Sequence, residues 1–395
     1  MMKHSILLFS IVALAGCSKP RHKFLTVQNP LDTERTEIVS IPVATLDSLF
    51  PSFTPGNLIV QASEDDTEHC LAQWIDADGD GKPEAFLFEA SLKGKEHKTY
   101  ILKESEHPVR DTTLEGTYGR FVPERIDDFA WENNRVAFRT YGPEAQRLVD
   151  AGEKGGTLSS GIDCWLKRVE HGVIDAWYTK NAKGGSYHKD DGEGYDPYHV
   201  GASRGCGGLG VRVGDSLYVS KNFVRHRILA NGPLRTTFEL TYAPWTAAGA
   251  MVRERKIISI DRNSQLSRVE AFVTSDSTLV NVTLGIALHD KKGEVKADSA
   301  QGWFRYWEPM DDSELGTAIV IDPARVLRFE DYRTTKKDLS HLFVMAAAPR
   351  QEAVVYYTGF GWKKAGKVAS AETWDLYLQD FAQRLASPVT VRFEK

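Results

Sequence analysis

Short runs in which apolar and polar residues alternate recur from Lys23 almost to the C-terminus, as in Phe24-Leu25-Thr26-Val27, Glu37 to Pro42, Arg135 to Arg139, Thr236 to Tyr242 and Lys256 to Ile260. A period of two puts every second side chain on the same face of a strand, and Asn, Pro and Gly between the runs supply turns. The chain therefore reads as all-β. With 395 residues, against about 100–200 per domain, it has room for a small N-terminal β-sandwich over 17–115 and a larger β unit over 116–395. The polar, turn-rich stretch from Asp111 to Arg125 makes the join. One helix stands out between Ser370 and Ala386, where Trp374, Leu378, Phe381 and Leu385 recur at helical spacing.

Lys3, the apolar run Ile6 to Ala15 and Leu14-Ala15-Gly16-Cys17 read as a lipoprotein signal peptide over 1–16 followed by lipidation at Cys17. The apolar run is shorter than the roughly 20 residues of a membrane-spanning helix, so the lipid is the sole expected membrane attachment. Ser18 and Lys19 after the cysteine favour the periplasmic face of an outer membrane, with the cell surface as the alternative. Cys70, Cys164 and Cys206 then remain, an odd number that allows one internal disulfide at most and fits three small buried thiols better. The formal charge of −5 and the lack of a basic run interleaved with aromatics exclude a nucleic-acid footprint. Nothing in the chain indicates an organic cofactor or a protein partner.

Asp76, Asp78, Asp80 and Glu84 surround Gly79 and Gly81 ahead of the apolar run Ala85 to Phe88. Carboxylates at the first, third, fifth and ninth positions of a tight turn suit a hard cation such as Ca²⁺ in a structural role. The same residues would also serve a solvated Asp-Gly hairpin.

Asp128, Trp131, Glu132 and Asn133 crowd the entry to a strand, a mixture that can recognise sugar hydroxyls and faces, or simply form a surface loop. In Gly161 to Arg168, alternation places Asp163, Trp165 and Lys167 on one face and Ile162, Cys164 and Leu166 on the other. The first set reads as a sugar-facing or carboxylate-binding surface, or as a solvated strand face. Gly184 to Gly210 is the richest segment, with nine glycines in 27 residues against 32 in the whole chain. It is a long loop that carries acid, base and phenol groups, as functional loops on β scaffolds do.

Within that loop His188 is the leading general acid/base. Tyr198 can share the proton transfer if Arg204 acidifies it, and Arg204 offers a planar fork to a carboxylate. Asp190 and Asp196 would orient His188, bind hydroxyls, or join a metal with His188 and His199. Downstream, Arg235 and Glu239 lie four apart on a strand and share a face, while His289 and Glu308 are polar residues set in apolar patterns. A salt bridge within the sheet and an ordinary satisfied histidine are the plain alternatives.

Arg125-Ile-Asp-Asp-Phe-Ala-Trp-Glu-Asn133, Gly161-Ile-Asp-Cys-Trp-Leu-Lys-Arg168, Tyr187-His188 with Asp196-Pro-Tyr198, and Ser203-Arg-Gly-Cys-Gly-Gly208 together resemble secreted Bacteroidota proteins grouped as a domain of unknown function near polysaccharide-degradation genes. The resemblance spans almost the whole mature chain. It implies a galactose-mutarotase-like β-supersandwich as the large unit and a carbohydrate context, frequently pectin or other uronate-containing glycans, without implying a reaction or assigning catalytic residues. The expectation that follows is a periplasmic enzyme acting on uronate-containing oligosaccharides by β-elimination or isomerisation. In it, Arg204 or Lys167 neutralises the carboxylate and His188 or Tyr198 moves the proton. The alternatives are a glycoside hydrolase using two of Asp190, Asp196, Glu239 and Glu308, or a non-catalytic glycan-binding lipoprotein.

Overall fold

The computed structural model describes residues 22–394 apart from 52, 64–68, 111, 280 and 349–351. The expected leader and Cys17 lie outside the described residues, among which no helix is long and apolar enough to cross a membrane. In the N-terminal sandwich, the strand His22–Gln28 buries Leu25 and Val27 and pairs antiparallel with His97–Glu104. Their sheet runs Thr390–Phe393, His22–Gln28, His97–Glu104, Leu58–Gln61, and it faces a three-stranded sheet of Arg35–Pro42, Ala85–Leu92 and Ala72–Ile75. Leu25, Val27, Val39, Ile41, Phe86, Phe88 and Leu102 merge into one core. The first strand of the order is also the last of the chain, with Val391 opposite Val27 and Phe393 opposite Leu25. This C-terminal segment, placed by sequence with the larger unit, thus completes the smaller one. Four residues of alternation carry no mark of a partner at the other end of the chain.

The larger unit is a supersandwich. Its nine-stranded antiparallel sheet contains Arg235–Tyr242, Ala250–Asp261, Leu266–Ser275, Val354–Trp362, Ser313–Ile321 and Trp303–Met310 in that spatial order. One face carries Phe238, Leu240, Ile258, Val269, Phe304, Ile319 and Phe360 into a core shared with two five-stranded sheets. One of these is built from Ser216–Tyr218, Cys206–Val213, Asn281–Ala287, His341–Ala347 and Val326–Tyr332. The other holds Tyr118–Val122, Asp128–Glu132, Ala137–Thr140, Asp163–Lys167 and Gly194–Tyr195. The far face of the nine-stranded sheet is covered by the helix Ala371–Ala386, which buries Trp374 and Leu378 against Trp303, Trp307 and Val320. Ser370 caps this helix by accepting a hydrogen bond from the Thr373 amide. Of its expected apolar stripe, Phe381 is only partly buried and Leu385 is exposed, because both line an open cleft between the helix, the sheet and the N-terminal sandwich.

Cys164 and Cys206 are buried without a disulfide, and Cys70, partly buried, forms none either. Burial pushes the Cys164 thiol well above its ordinary value, which makes it a packing group rather than a nucleophile.

Candidate functional site

The sheet that contains Asp163–Lys167 is covered on both faces. Phe129, Trp131, Phe138, Cys164 and Leu166 look into the large core. Asp128, Glu132, Arg139, Asp163, Trp165 and Lys167 share the opposite face by register. That face is polar in composition yet closed off by the helix Ile174–Ala182 and Tyr187, whose Trp177 and Tyr178 pack on Trp165. The expected division of faces is right, but its exposure is not. Lys167 Nζ donates to Glu132 Oε2 at 2.8 Å and to the carbonyls of Asn133 and His171. Glu132 also accepts from the amides of Val173 and Ile174, so it sits on the N-terminus of that helix, where a negative charge is favourable. Asn133 clamps a turn, donating to the carbonyls of Asp261 and Ser264 and accepting from the amide of Val136. Trp131 and Trp165 are both 0% exposed. These five side chains hold the fold and cannot touch a sugar.

At the other end of the same face one guanidinium gathers three carboxylates. Arg139 reaches Asp163 Oδ2 at 2.7 Å, Asp196 Oδ2 at 2.8 Å, Asp128 Oδ2 at 3.5 Å and the Tyr187 hydroxyl at 3.0 Å. Tyr141 donates to Asp163 and Tyr178 to Asp128. All of these groups are buried. Burial, opposed by the charges of Arg139 and Arg125, raises the Asp128 carboxyl to about 6. Burial and the neighbouring Asp163 also push the Asp196 carboxyl well above its ordinary value. Arg139, with Arg125 beside it, does not offset the burial of three acids, and all three carboxyls are held above their ordinary range. Arg139 did not stand out in the sequence as a site residue, since one Arg within a strand carries no local signal.

The Gly-rich loop leaves this cluster and crosses to the other five-stranded sheet. His188 is half exposed; its Nδ1 lies 2.7 Å from the Asp196 carbonyl and 3.5 Å from Asp196 Oδ2. Donation from Nδ1 to that carbonyl leaves Nε2 with its lone pair. Asp190 instead organises a turn, accepting from the amides of Gly192 and Gly194 and from Arg168. Tyr198 is buried, its ring edge-on to His289 at 4.5 Å. Burial, reinforced by neighbouring Cys164 and Cys206, holds the phenol well above its usual range, so it stays protonated. Arg204 does not acidify it. Its guanidinium is buried against the hydroxyls of Ser160 and Ser159, has no carboxylate in hydrogen-bond reach among the described residues, and is drawn down to about 10 by burial. The expected fork for a substrate carboxylate is therefore enclosed.

A cavity of about 460 Å³ opens where the loop meets the strand ends, lined by His199, Ser203, His289, Lys291, Lys336, Lys337 and Asp338 among others. His199 Nε2 lies 3.2 Å from Asp338 Oδ1, while Asp338 Oδ2 accepts from the Ala202 amide at 3.3 Å. Gly201 makes this approach possible. With φ at +49°, a β-carbon there would lie 2.2 Å from Asp338 Oδ2 and 2.7 Å from His199 Nε2. Behind them His289 contacts Glu308 Oε1 through Nδ1 at 2.6 Å and donates from Nε2 to the His199 carbonyl at 3.0 Å. Burial alone would lower the His289 pKa, but the hydrogen bond and charge of Glu308 outweigh it, so the imidazolium persists above the ordinary histidine range. His289 holds a left-handed φ of +31° at the end of its strand, an uncommon conformation for a non-glycine residue. The sequence pointed to His199, His289, Glu308 and Tyr198, which the structure brings together. It missed Asp338 and the three lysines, which look like ordinary surface charge.

The remaining expected residues lie elsewhere. Arg235 pairs with Asp261 and Glu239 with Arg255, so they do not meet one ligand. Glu239 and Glu308 stand on strands with four others between them, about 24 Å apart at roughly 4.8 Å per step. In the small sandwich, carboxylate oxygens of Asp76, Asp78, Asp80 and Glu84 lie within 4.8 Å of one another, a group able to hold a metal ion. Asp76 also accepts from the amides of Gly79 and Gly81, and Asp80 from Lys82, which shapes the loop in advance.

Among solved structures the chain is similar to a protein in the Glycosyl Hydrolase Family 38 from Enterococcus faecalis, with TM-score 0.51 and 9% identity over 95% of this chain and 47% of that one. It is also similar to an alpha-mannosidase from Enterococcus faecalis V583, with TM-score 0.46 and 9% identity over 95% and 46%. The chain spans about half the length of these structures, and the first likeness is one of fold. The "Uncharacterized protein P7" of Formosa agariphila is 41% identical over 405 residues, covering 100% of both chains. The model of the domain-of-unknown-function family DUF4861 matches residues 27–391, and with this match the chain belongs to that family.

Proposed function

We propose that the protein is a carbohydrate-active enzyme that removes a proton next to a uronate carboxylate, in the cavity between His199 and His289. The observation that carries this reading is a polar pocket lined by two histidines, each hydrogen-bonded to an acid, together with three lysines. Lys291, Lys336 and Lys337 take the neutralising role that enclosed Arg204 and Lys167 cannot fill. Together with the His289 imidazolium they stabilise the negative charge that develops as the α-proton leaves. His199 donates Nε2–H to Asp338, which leaves Nδ1 as the base.

In the step itself the C–H bond beside the carboxylate breaks and its proton goes to His199. The freed electron pair forms a carbon–carbon double bond as the bond from the neighbouring carbon to its oxygen breaks. The same imidazole returns the proton to the departing oxygen, completing a β-elimination; in an isomerisation the carbon–oxygen bond instead stays intact, the freed pair is held as the enolate, and the proton returns to a different atom of the same substrate. Hydrolysis by two carboxylates has less support. Glu239 and Glu308 are too far apart to flank one bond, which requires about 5–9.5 Å, and Asp190 is committed to its turn.

The fold shared with a family 38 protein directs the substrate panel to carbohydrates. The motif resemblance directs it to uronates. The Leu14-Ala15-Gly16-Cys17 sequence supports a secreted lipoprotein anchored at Cys17 on the periplasmic face of the outer membrane. The all-oxygen donor set of Asp76, Asp78, Asp80 and Glu84 supports calcium as its cation, with a structural role remote from the cavity. The experiment is incubation with uronate oligosaccharides, followed by the absorbance of the unsaturated uronate and by product mass. New absorbance without a mass increase supports elimination, while products heavier by one water overturn it in favour of hydrolysis. Binding without turnover leaves a glycan-binding protein.

A further inference from the structure

A second and larger cavity, about 1080 Å³, lies where the N-terminal sandwich, the nine-stranded sheet and the C-terminal helix meet. From these observations we infer that it is a binding cleft for an extended acidic oligosaccharide, separate from the His199 pocket. The inference rests on the carbohydrate reading above and adds a second site to it.

Three features carry the argument. The first is size: single small-molecule sites occupy about 300–1,000 Å³, so this cleft exceeds what one sugar unit needs and suits several in a row. The second is the wall formed by the helix. Tyr357, Tyr377 and Phe381 are only partly buried there, and Phe381 contacts the rings of both tyrosines, at 5.0 and 6.0 Å. Partly exposed aromatic rings offer flat apolar surfaces to sugar faces.

The third feature is the arrangement of charge. Arg235 is fixed in the plane of Asp261 by two hydrogen bonds, and Arg262 is held between Glu89 and Glu115. Guanidiniums braced in this way present remaining N–H groups to ligand oxygens at little further entropic cost. On the opposite wall, Lys98 Nζ donates to the Ser91 carbonyl and sits over the Tyr100 ring. Lys93 joins it there. Neither lysine has a carboxylate within ion-pair distance among the described residues, and although Glu34, Glu37, Glu96 and Asp261 also line the cleft, seven Lys and Arg side chains outnumber them, so the lining favours an acidic chain.

The test is calorimetric titration with oligogalacturonate, and with a neutral galacto-oligosaccharide of equal length, using His199→Ala protein so that ligand is not consumed. Binding of the acidic ligand that weakens with salt, and falls about tenfold when Lys93→Glu and Lys98→Glu are combined, supports the cleft. Phe381→Ala should weaken both ligands. Because the helix face around Phe381 also packs on the sheet, the double lysine variant at the rim keeps the test decisive if Phe381→Ala misfolds. Affinity unchanged in the double lysine variant overturns the proposal. Turnover by the wild-type enzyme with such unchanged affinity fails the cleft alone; lysine-dependent binding with no wild-type turnover fails the enzyme reading alone.

Discussion

Asp338 links the Gly-rich loop to the opposite strand ends by reaching His199 Nε2 with one oxygen, at 3.2 Å, and the Ala202 amide with the other, at 3.3 Å. The contact fixes both the loop and the histidine tautomer. If His199 moves the proton, His199→Ala should lower kcat by about 10²–10⁴-fold. Asp338→Asn should cost about 10–100-fold, because the amide can present its NH₂ to Nε2 and favour the wrong tautomer. His188→Ala serves as the comparison, since its free Nε2 is the other available base. A kcat that collapses in His188→Ala and survives in His199→Ala would move the chemistry to the edge of the Asp196 cluster.

The Arg139 cluster predicts an unusual response to pH. Asp128 is raised from 3.8 to about 6 by folding, so between those values the native state binds more protons than the unfolded state. Its contribution to stability therefore falls as pH rises through that window and levels off above about 6. Asp163 and Asp196 are raised too and act in the same direction. Asp128→Asn keeps an acceptor for Tyr178 and removes one charge. The variant should melt higher than wild type at neutral pH, and the gap should close toward pH 4, as measured by melting temperature across pH. Arg139→Met should do the reverse and destabilise by about 3–5 kcal/mol, because it strands the buried acids.

Much of the architecture was legible because strands announce themselves through local alternation. Asp163, Trp165 and Lys167 were placed on one face by their spacing alone. What period two does not reveal is what covers that face, and here the cover is the helix Ile174–Ala182, whose own apolar pattern is short. The polar composition of Asp128 to Asn133 therefore suggested a surface although the residues form an interior. A similar difficulty affects Arg204, which looks like an anion fork until Gly285 is seen to let its side chain lie flat against the next strand, where a β-carbon would come within 2.8 Å of it. His199 and His289 were visible as chemistry-bearing residues. Their common pocket depends on Asp338 and on lysines from a loop far along the chain, a pairing that only tertiary structure supplies.

Trp131 and Trp165 provide a check on this reversal. A sugar-stacking tryptophan would lose affinity on truncation and leave the fold intact. Each is instead fully enclosed, Trp131 donating to the Ser267 hydroxyl at 3.0 Å and Trp165 packed between Trp177, Tyr178 and Tyr187. Trp165→Ala and Trp131→Ala should each cost about 3–5 kcal/mol, seen as a shifted denaturation midpoint. Ligand affinity per folded molecule should be unchanged.

The acidic loop of the small sandwich gives the last prediction. Its carboxylates serve the backbone as well as a cation, since Asp78 accepts from the Asp80 amide and Asp80 from that of Lys82. Replacing them with alanine would damage the turn and confuse the two roles. Asp78→Asn combined with Asp80→Asn keeps oxygen acceptors for those amides while removing two charges. If calcium binds here, wild-type protein should gain about 2.7 kcal/mol of stability when free calcium reaches about 100 times its dissociation constant. The Asn variant should match wild type in the presence of a chelator and lose most of that gain. A calcium response equal in both proteins would show that the ion acts elsewhere, and the loop would then be a turn whose acids serve only its own amides.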